Sequence, residues 1–146
     1  MLSVWDTRFL QLAELIASWS KDPSTKVGAV LVGKDRREIA VGYNGFPARV
    51  PDTPEWLADR ETKRLLIQHA ERNALDNALF NLAGATLYCT MYPCNECAKS
   101  IVARGVNRVV TRPPMPREPW MSSSSAAAKI MSIAGLQVDV VDGGVS

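Results

Sequence analysis

Three side chains able to bind a soft divalent metal, and one able to move protons, fall within a single stretch of this chain. His69-Ala70-Glu71 is followed, after one apolar segment, by Pro93-Cys94-Asn95-Glu96-Cys97. An imidazole and two thiolates are good zinc ligands, and a catalytic zinc takes three protein ligands and keeps one position for water. Glu71, two residues from the histidine, is close enough to handle that water's protons without serving as a ligand. Cys94 and Cys97, at i and i+3, share one face of a first helical turn. The positive end of that helix favours thiolates, and Pro93 suits the approach to it, where an N–H is not missed. His69 is the only histidine, so no rival histidine-rich site can be built. A structural zinc would need a fourth ligand, from Cys89 or a carboxylate, whereas a redox dithiol would need no histidine. Cys89 itself reads as a small buried residue on a strand.

The elements that must position these residues follow from periodicity. Trp5 to Trp19 reads as an amphipathic helix with Trp5, Phe9, Leu12, Leu15 (or Ile16) and Trp19 on its apolar stripe and Asp6, Gln11 and Glu14 elsewhere. Lys21-Asp22-Pro23-Ser24 breaks it. Lys26–Val32 is a nearly continuous apolar strand, as expected when both faces are covered. Glu38–Tyr43 returns as its hairpin partner, ended by Asn44-Gly45. Thr53 reads as an N-cap with Pro54 in the first helical position of a charged segment running to about Leu66. His69 to about Leu79 is a helix. Thr86–Thr90, Val106–Thr111 and Gln137–Val141 are strands, separated by helices at Cys94–Arg104, closed by Gly105, and at Ser122–Ala134, capped by serines. Arg112–Pro119, with four prolines, is an extended loop. Strand–helix alternation after residue 85 predicts parallel pairing through right-handed crossovers. The expected architecture is α/β, a mixed five-stranded sheet with helices on both faces in three layers.

The whole-chain numbers exclude several classes. At 146 residues, with 47% hydrophobic and 22% charged residues, the chain reads as one soluble domain spanning 1–146. A net charge of +2 without a basic run gives no footprint for nucleic acid. No apolar run is long enough to span a bilayer and no signal peptide is visible, so a cytoplasmic location without a membrane partner is expected. Three cysteines, two in C-x-x-C, fit metal binding in a reducing compartment.

H-x-E followed by P-C-x-x-C is the signature of zinc-dependent cytidine and adenosine deaminases, and in these residues the chain resembles the cytidine deaminase superfamily. In that chemistry Glu71 takes a proton from water and passes it to ring nitrogen N3, the water oxygen attacks C4 of a cytosine, and ammonia departs. Ala70, Pro93 and the backbone near Cys94 would hold the base. Further matching segments are Asp22-Pro23-Ser24-Thr25-Lys26-Val27-Gly28-Ala29, Gly42-Tyr43-Asn44-Gly45-Phe46-Pro47, Asn73-Ala74 and Tyr92 through Lys99. With these the chain is similar to the deoxycytidylate (dCMP) deaminase family over nearly its whole length, in a three-layer cytidine-deaminase-like fold.

That resemblance implies conversion of dCMP to dUMP and ammonia, supplying thymidylate synthesis. It implies catalytic Zn2+ on His69, Cys94 and Cys97, Asn44 on the deoxyribose hydroxyl, and Ser24, Thr25 and Lys26 on the 5′-phosphate. Trp120 either closes the pocket over the substrate or packs its ring against the last helix. Family members are homohexamers activated by dCTP with Mg2+ and inhibited by dTTP. The implied effector site draws on Tyr43, Gly45, Phe46, Asp52, Glu61 and Lys63. The chain departs from the family where Phe46-Pro47 is commonly followed by Arg-Gly and here by Ala48-Arg49, which removes backbone freedom beside a triphosphate. The rival readings are a deaminase of another cytosine nucleotide (dCTP or a 5-substituted dCMP), a polynucleotide base deaminase, and a non-catalytic nucleotide-binding or zinc-stabilised protein.

Overall fold

The computed structural model describes residues 2–143. Five strands form one sheet in the order β2-β1-β3-β4-β5, with β1 at Gly28–Val32, β2 at Ile39–Tyr43, β3 at Thr86–Cys89, β4 at Arg108–Thr111 and β5 at Gln137–Val140. β1 pairs antiparallel with both β2 and β3, while β3, β4 and β5 run parallel. The mixed sheet, the hairpin and the parallel crossovers are therefore as the alternation predicts, with strand ends trimmed by one or two residues.

Helices cover both faces. On one side α1 (Val4–Ala17) packs Phe9, Leu10 and Ala13 against Val30, Val32, Tyr88 and Val110. On the other, α4 (Ala70–Asn77), α5 (Asn95–Ala103) and α6 (Trp120–Ile133) close over Ala29, Leu31, Leu87 and Val109. All five residues of β1 are buried, which is why that strand is apolar at every position instead of alternating.

Two glycines let helices lie directly on the hairpin. A Cβ at Gly28 would sit 2.0 Å from the Ala13 carbonyl and 2.5 Å from the Ala17 nitrogen of α1. A Cβ at Gly42 would sit 2.3 Å from the Ala74 nitrogen and 2.6 Å from the Ala70 carbonyl of α4. Neither approach leaves room for any side chain.

The first of these contacts corrects the stripe expected on α1. Its buried face is Asp6, Phe9, Leu10, Ala13, Ile16 and Ala17, whereas Trp5, Leu15 and Trp19 are exposed. Alanines, not large aromatics, must face Gly28. Asp6 turns inward because it is the centre of a polar network. Its Oδ1 accepts from Tyr88 Oη at 2.7 Å and Arg108 Nη1 at 2.8 Å, and its Oδ2 accepts from the Ser3 amide at 2.9 Å and Arg108 Nη2 at 3.1 Å. Ser3 completes a capping box by accepting from the Asp6 amide. Arg108 also binds Asp139 at 2.8 Å.

Two further boundaries differ from expectation. The charged segment is not one helix but α2 (Pro54–Ala58) and α3 (Arg60–Leu66), broken at Asp59, whose extended backbone caps the second. Aspartate favours such a cap over a helix interior. Thr53 precedes Pro54 as expected but makes no side-chain cap bond. The last helix begins at Trp120, not Ser122, and no serine caps it. The Glu118 carboxylate instead accepts from the Ser122 amide at 3.3 Å, where a negative charge favours a helix start.

Two outcomes test these packing arguments. Asp6→Asn is expected to cost about 3 kcal/mol at neutral pH, because it leaves a mostly buried Arg108 short of a charge partner. Although burial pushes its carboxyl up, the bonds from Arg108, Ser3 and Tyr88 hold Asp6 well below the usual carboxylate range. The gap between wild type and variant is therefore fully present above about pH 5 and shrinks as acid falls below about pH 4, measured by denaturant unfolding across pH. Gly42→Ala is expected to destabilise by about 2–3 kcal/mol and to lower metal retention, since it pushes α4 off β2.

Candidate metal centre and cleft

The two halves of the sequence signature start neighbouring helices. His69 is the N-cap residue of α4 and Cys94 the N-cap residue of α5, whose Sγ accepts from the Cys97 amide at 3.4 Å. The position of α4 is set by Gly42 below it and by the residue before His69. Gln68 exchanges two backbone hydrogen bonds with Gly45, at 2.8 and 3.1 Å, in an isolated antiparallel bridge. Asn73 then donates to the Tyr43 carbonyl at 2.8 Å and accepts from Gln68 Nε2 at 2.7 Å. α5 is fixed from the other side by α6, where Ser123 Oγ accepts from the Asn95 amide at 3.0 Å and donates to Asn95 Oδ1 at 2.9 Å.

These constraints bring His69 Nδ1 to 3.4 Å from both Cys94 Sγ and Cys97 Sγ. One ring N–H cannot point at two sulfurs at once, but one ion can meet all three atoms. A tetrahedral zinc with bonds of about 2.0 Å to nitrogen and 2.3 Å to sulfur sets N and S roughly 3.5 Å apart, so the three residues fit the ion. Among the described residues no further cysteine or carboxylate joins this group, which meets the requirement of a three-ligand site with a position to spare. Cys89 lies elsewhere in the core. It is fully buried, its Sγ donates to Thr111 Oγ1 at 3.4 Å, and burial pushes its thiol well above the ordinary range. The reading of Cys89 as a small core residue holds.

The two thiols differ in acidity. The hydrogen bond from Cys97 holds the Cys94 thiol low, and the same bond together with burial pushes Cys97 up. The bond to Cys94 raises His69. Glu71 is 4% exposed, and burial pushes its carboxyl above the ordinary range. A carboxyl so placed holds a proton more readily than an exposed one and can pass it to a neighbouring group.

The group opens into a cleft of about 210 Å³. Of the residues expected to bind substrate, Thr25, Asn44, Ala70, Pro93 and Trp120 line it beside His69, Glu71 and Cys94. Ser24 and Lys26 are exposed and do not line it. Asn44 is largely committed to the fold: its Nδ2 donates to the Thr25 carbonyl at 2.8 Å and to Asp22 Oδ2 at 3.3 Å, and its Oδ1 accepts from the Val27 amide at 2.8 Å. It thus holds the Ser24-Thr25 turn and keeps one acceptor lone pair for a ligand hydroxyl. Trp120 does line the cleft, with Arg117 at 5.2 Å over its ring.

The residues expected at an effector site do not form one cluster. Tyr43 meets Trp19 edge-on at 6.5 Å, Phe46 is buried near Trp56, Asp52 pairs with Lys21 at 3.2 Å, and Glu61 is exposed. Gly45 forms the bridge to Gln68, and Lys63 turns toward Asp22 and Ser24. Sequence reasoning did not single out Asp22, Ile67, Met91, Tyr92, Met115, Ser123 or Ser124 for the cleft. Asp22 and Tyr92 carried a signal, as the first residues of the Asp-Pro-Ser-Thr-Lys segment and of the segment from Tyr92 to Lys99.

A three-layer α/β/α sheet fold with a His/Cys/Cys metal group and a buried glutamate defines the class of zinc deaminases. Residues 3–112 match the model of the cytidine and deoxycytidylate deaminase zinc-binding region, and the chain belongs to that family. It is 46% identical over 109 residues to an uncharacterised deaminase from the luxG 3′ region of Aliivibrio fischeri, covering 75% of this chain and 73% of that one. It is 40% identical over 121 residues to the deoxycytidylate deaminase of Mycobacterium phage D29, covering 73% of this chain and 92% of the phage protein. The dCMP deaminase of cyanophage S-TIM5 superposes with a TM-score of 0.75 at 26% identity, over 97% of this chain and all of that one. The chain spans 54–63% of the length of the mouse deoxycytidylate deaminase and of the fly and nematode proteins named probable deoxycytidylate deaminases. Among the described residues, no helix is long and apolar enough to cross a membrane.

Zinc binding to the metal-free protein is expected to release protons at neutral pH, because the Cys97 thiol, which burial and its bond to Cys94 push up, must lose its proton to become a ligand. Apparent zinc affinity then rises with pH. Calorimetry in buffers of differing ionisation enthalpy measures the release.

Proposed function

We propose that this chain hydrolyses dCMP to dUMP and ammonia. The observation that carries the reading is His69 Nδ1 equidistant from two cysteine sulfurs beside a buried Glu71 in one cleft. Zinc, when bound by His69, Cys94 and Cys97, polarises a water for attack on C4 of cytosine. Glu71 takes a proton from that water and gives it to N3 of the ring. It then takes the proton of the hydroxyl added at C4 and delivers it to the exocyclic amine, so that the C4–N4 bond breaks, the C4 carbonyl forms and ammonia leaves. Ala70 and Pro93 hold the base against the metal group, and Asn44 accepts from the sugar hydroxyl. The Ser24-Thr25 turn receives the 5′-phosphate, and Trp120 shields the cleft from water.

The deoxycytidylate deaminases at 37–40% identity support dCMP over other cytosine nucleotides. By the same family reading the chain acts as a single deaminase domain, assembles as a cytoplasmic homohexamer and supplies thymidylate synthesis. Activation by dCTP with Mg2+ and inhibition by dTTP belong to that reading too. Arg49 supports retention of the effector loop: at φ 80° it keeps the left-handed turn that a glycine commonly makes there.

Glu71→Gln is expected to lower kcat by at least about 10³-fold while the protein still carries one zinc per chain. A panel of dCMP, dCTP, CMP, deoxycytidine, 5-methyl-dCMP and an oligonucleotide, with and without dCTP and dTTP, decides the substrate. Turnover favouring the oligonucleotide or a triphosphate would sink the assignment.

A further inference from the structure

We infer that Lys63 is the residue that makes the cleft select a nucleoside 5′-monophosphate over the bare nucleoside, an inference that rests on the proposed deamination of dCMP. The Ser24-Thr25 turn at the cleft is built around Asp22, whose Oδ1 accepts from the Ser24 amide at 2.8 Å, the Ser24 hydroxyl at 3.0 Å and the Thr25 amide at 3.2 Å. Asp22 itself lines the cleft and is buried. A phosphate arriving at this turn therefore meets a carboxylate, and like charges at such range repel strongly. Some cation must answer it.

Lys63, from α3, is placed to do so. Its Nζ lies 2.9 Å from Asp22 Oδ1 and 2.7 Å from Ser24 Oγ, and its side chain is only 12% exposed. An ammonium has three donors. These two contacts occupy two of them, and the third is left for a phosphoryl oxygen bound at the Ser24 hydroxyl. The other nearby cations are differently placed. Neither Lys63 nor Lys26 lines the cleft itself, but Lys63 bonds the lining residue Asp22, whereas Lys26 is exposed and makes no side-chain bond among the described residues, and Arg117 lies against the Trp120 ring. The contacts of Lys63 thus assign it to the substrate turn and not to a separate effector site.

The test uses the full zinc-loaded chain. kcat/KM is measured for dCMP and deoxycytidine in wild type, Lys63→Met, Lys63→Arg and Lys26→Met, and binding of dUMP and deoxyuridine by calorimetry. Lys63→Met is expected to lower the dCMP-to-deoxycytidine ratio by roughly 10–100-fold, chiefly through KM. Lys63→Arg recovers part of it, and the dUMP-to-deoxyuridine affinity ratio falls in parallel. Should Lys63→Met unfold the chain by stranding Asp22, the paired Asp22→Asn, Lys63→Gln variant removes both charges and reads the same ratio. Equal losses on both substrates would mean that Lys63 only neutralises Asp22, and a collapse of the ratio in Lys26→Met instead would move the role to that residue. Either overturns the inference. If wild type deaminates neither compound, the proposed activity fails, while the two binding affinities still decide the role of Lys63.

Discussion

The metal-binding group depends on α4 lying against β2 at Gly42 with no side chain between them. That contact places the first turn of α4, with His69 and Glu71, hard on the hairpin. The bridge from Gln68 to Gly45 then locks the approach to His69 onto the loop after β2, so the metal ligand and Asn44 are held by the same short ladder. On the far side Ser123 fixes α5 through Asn95. Three ligand atoms from two helices meet because each helix is pinned at its first turn, where small errors of angle move a side chain least.

The cleft is also an exercise in charge balance. Two sulfurs, Glu71 and Asp22 are all potential anions in one small volume, and burial makes each costly to leave uncompensated. A dication would answer the sulfurs and the neighbouring Glu71, and Lys63 answers Asp22. The arrangement explains why a site for an anionic ligand can tolerate so many acidic groups around it.

Much of this was legible beforehand because it rests on local rules. The antiparallel hairpin followed from two apolar runs across a short turn, and the parallel half from strand–helix alternation. The metal group followed from residue types at helical spacing. What sequence did not reveal rests on contacts between distant segments. The inward face of α1 was misread because a tryptophan stripe looks like a core, whereas the need of Gly28 for Ala13 and Ala17, and of Arg108 for Asp6, arises only when strands and helix meet. The break at Asp59 and the start of α6 at Trp120 turned on capping by Asp59 and Glu118. Lys63 was expected at an effector site, and its contacts with Asp22 and Ser24 were not legible because those partners lie 41 and 39 residues away.

The bond between Asp6 and Arg108 joins residues 102 apart, and this has a bearing on synthesis. A growing chain makes α1 first, yet the strand residue that neutralises its inward acid leaves the ribosome only after three quarters of the polypeptide. The central strand β1 likewise waits for β3 before both its edges are paired. Until then the apolar side of α1 and one edge of the hairpin stand open, so consolidation comes late and all at once.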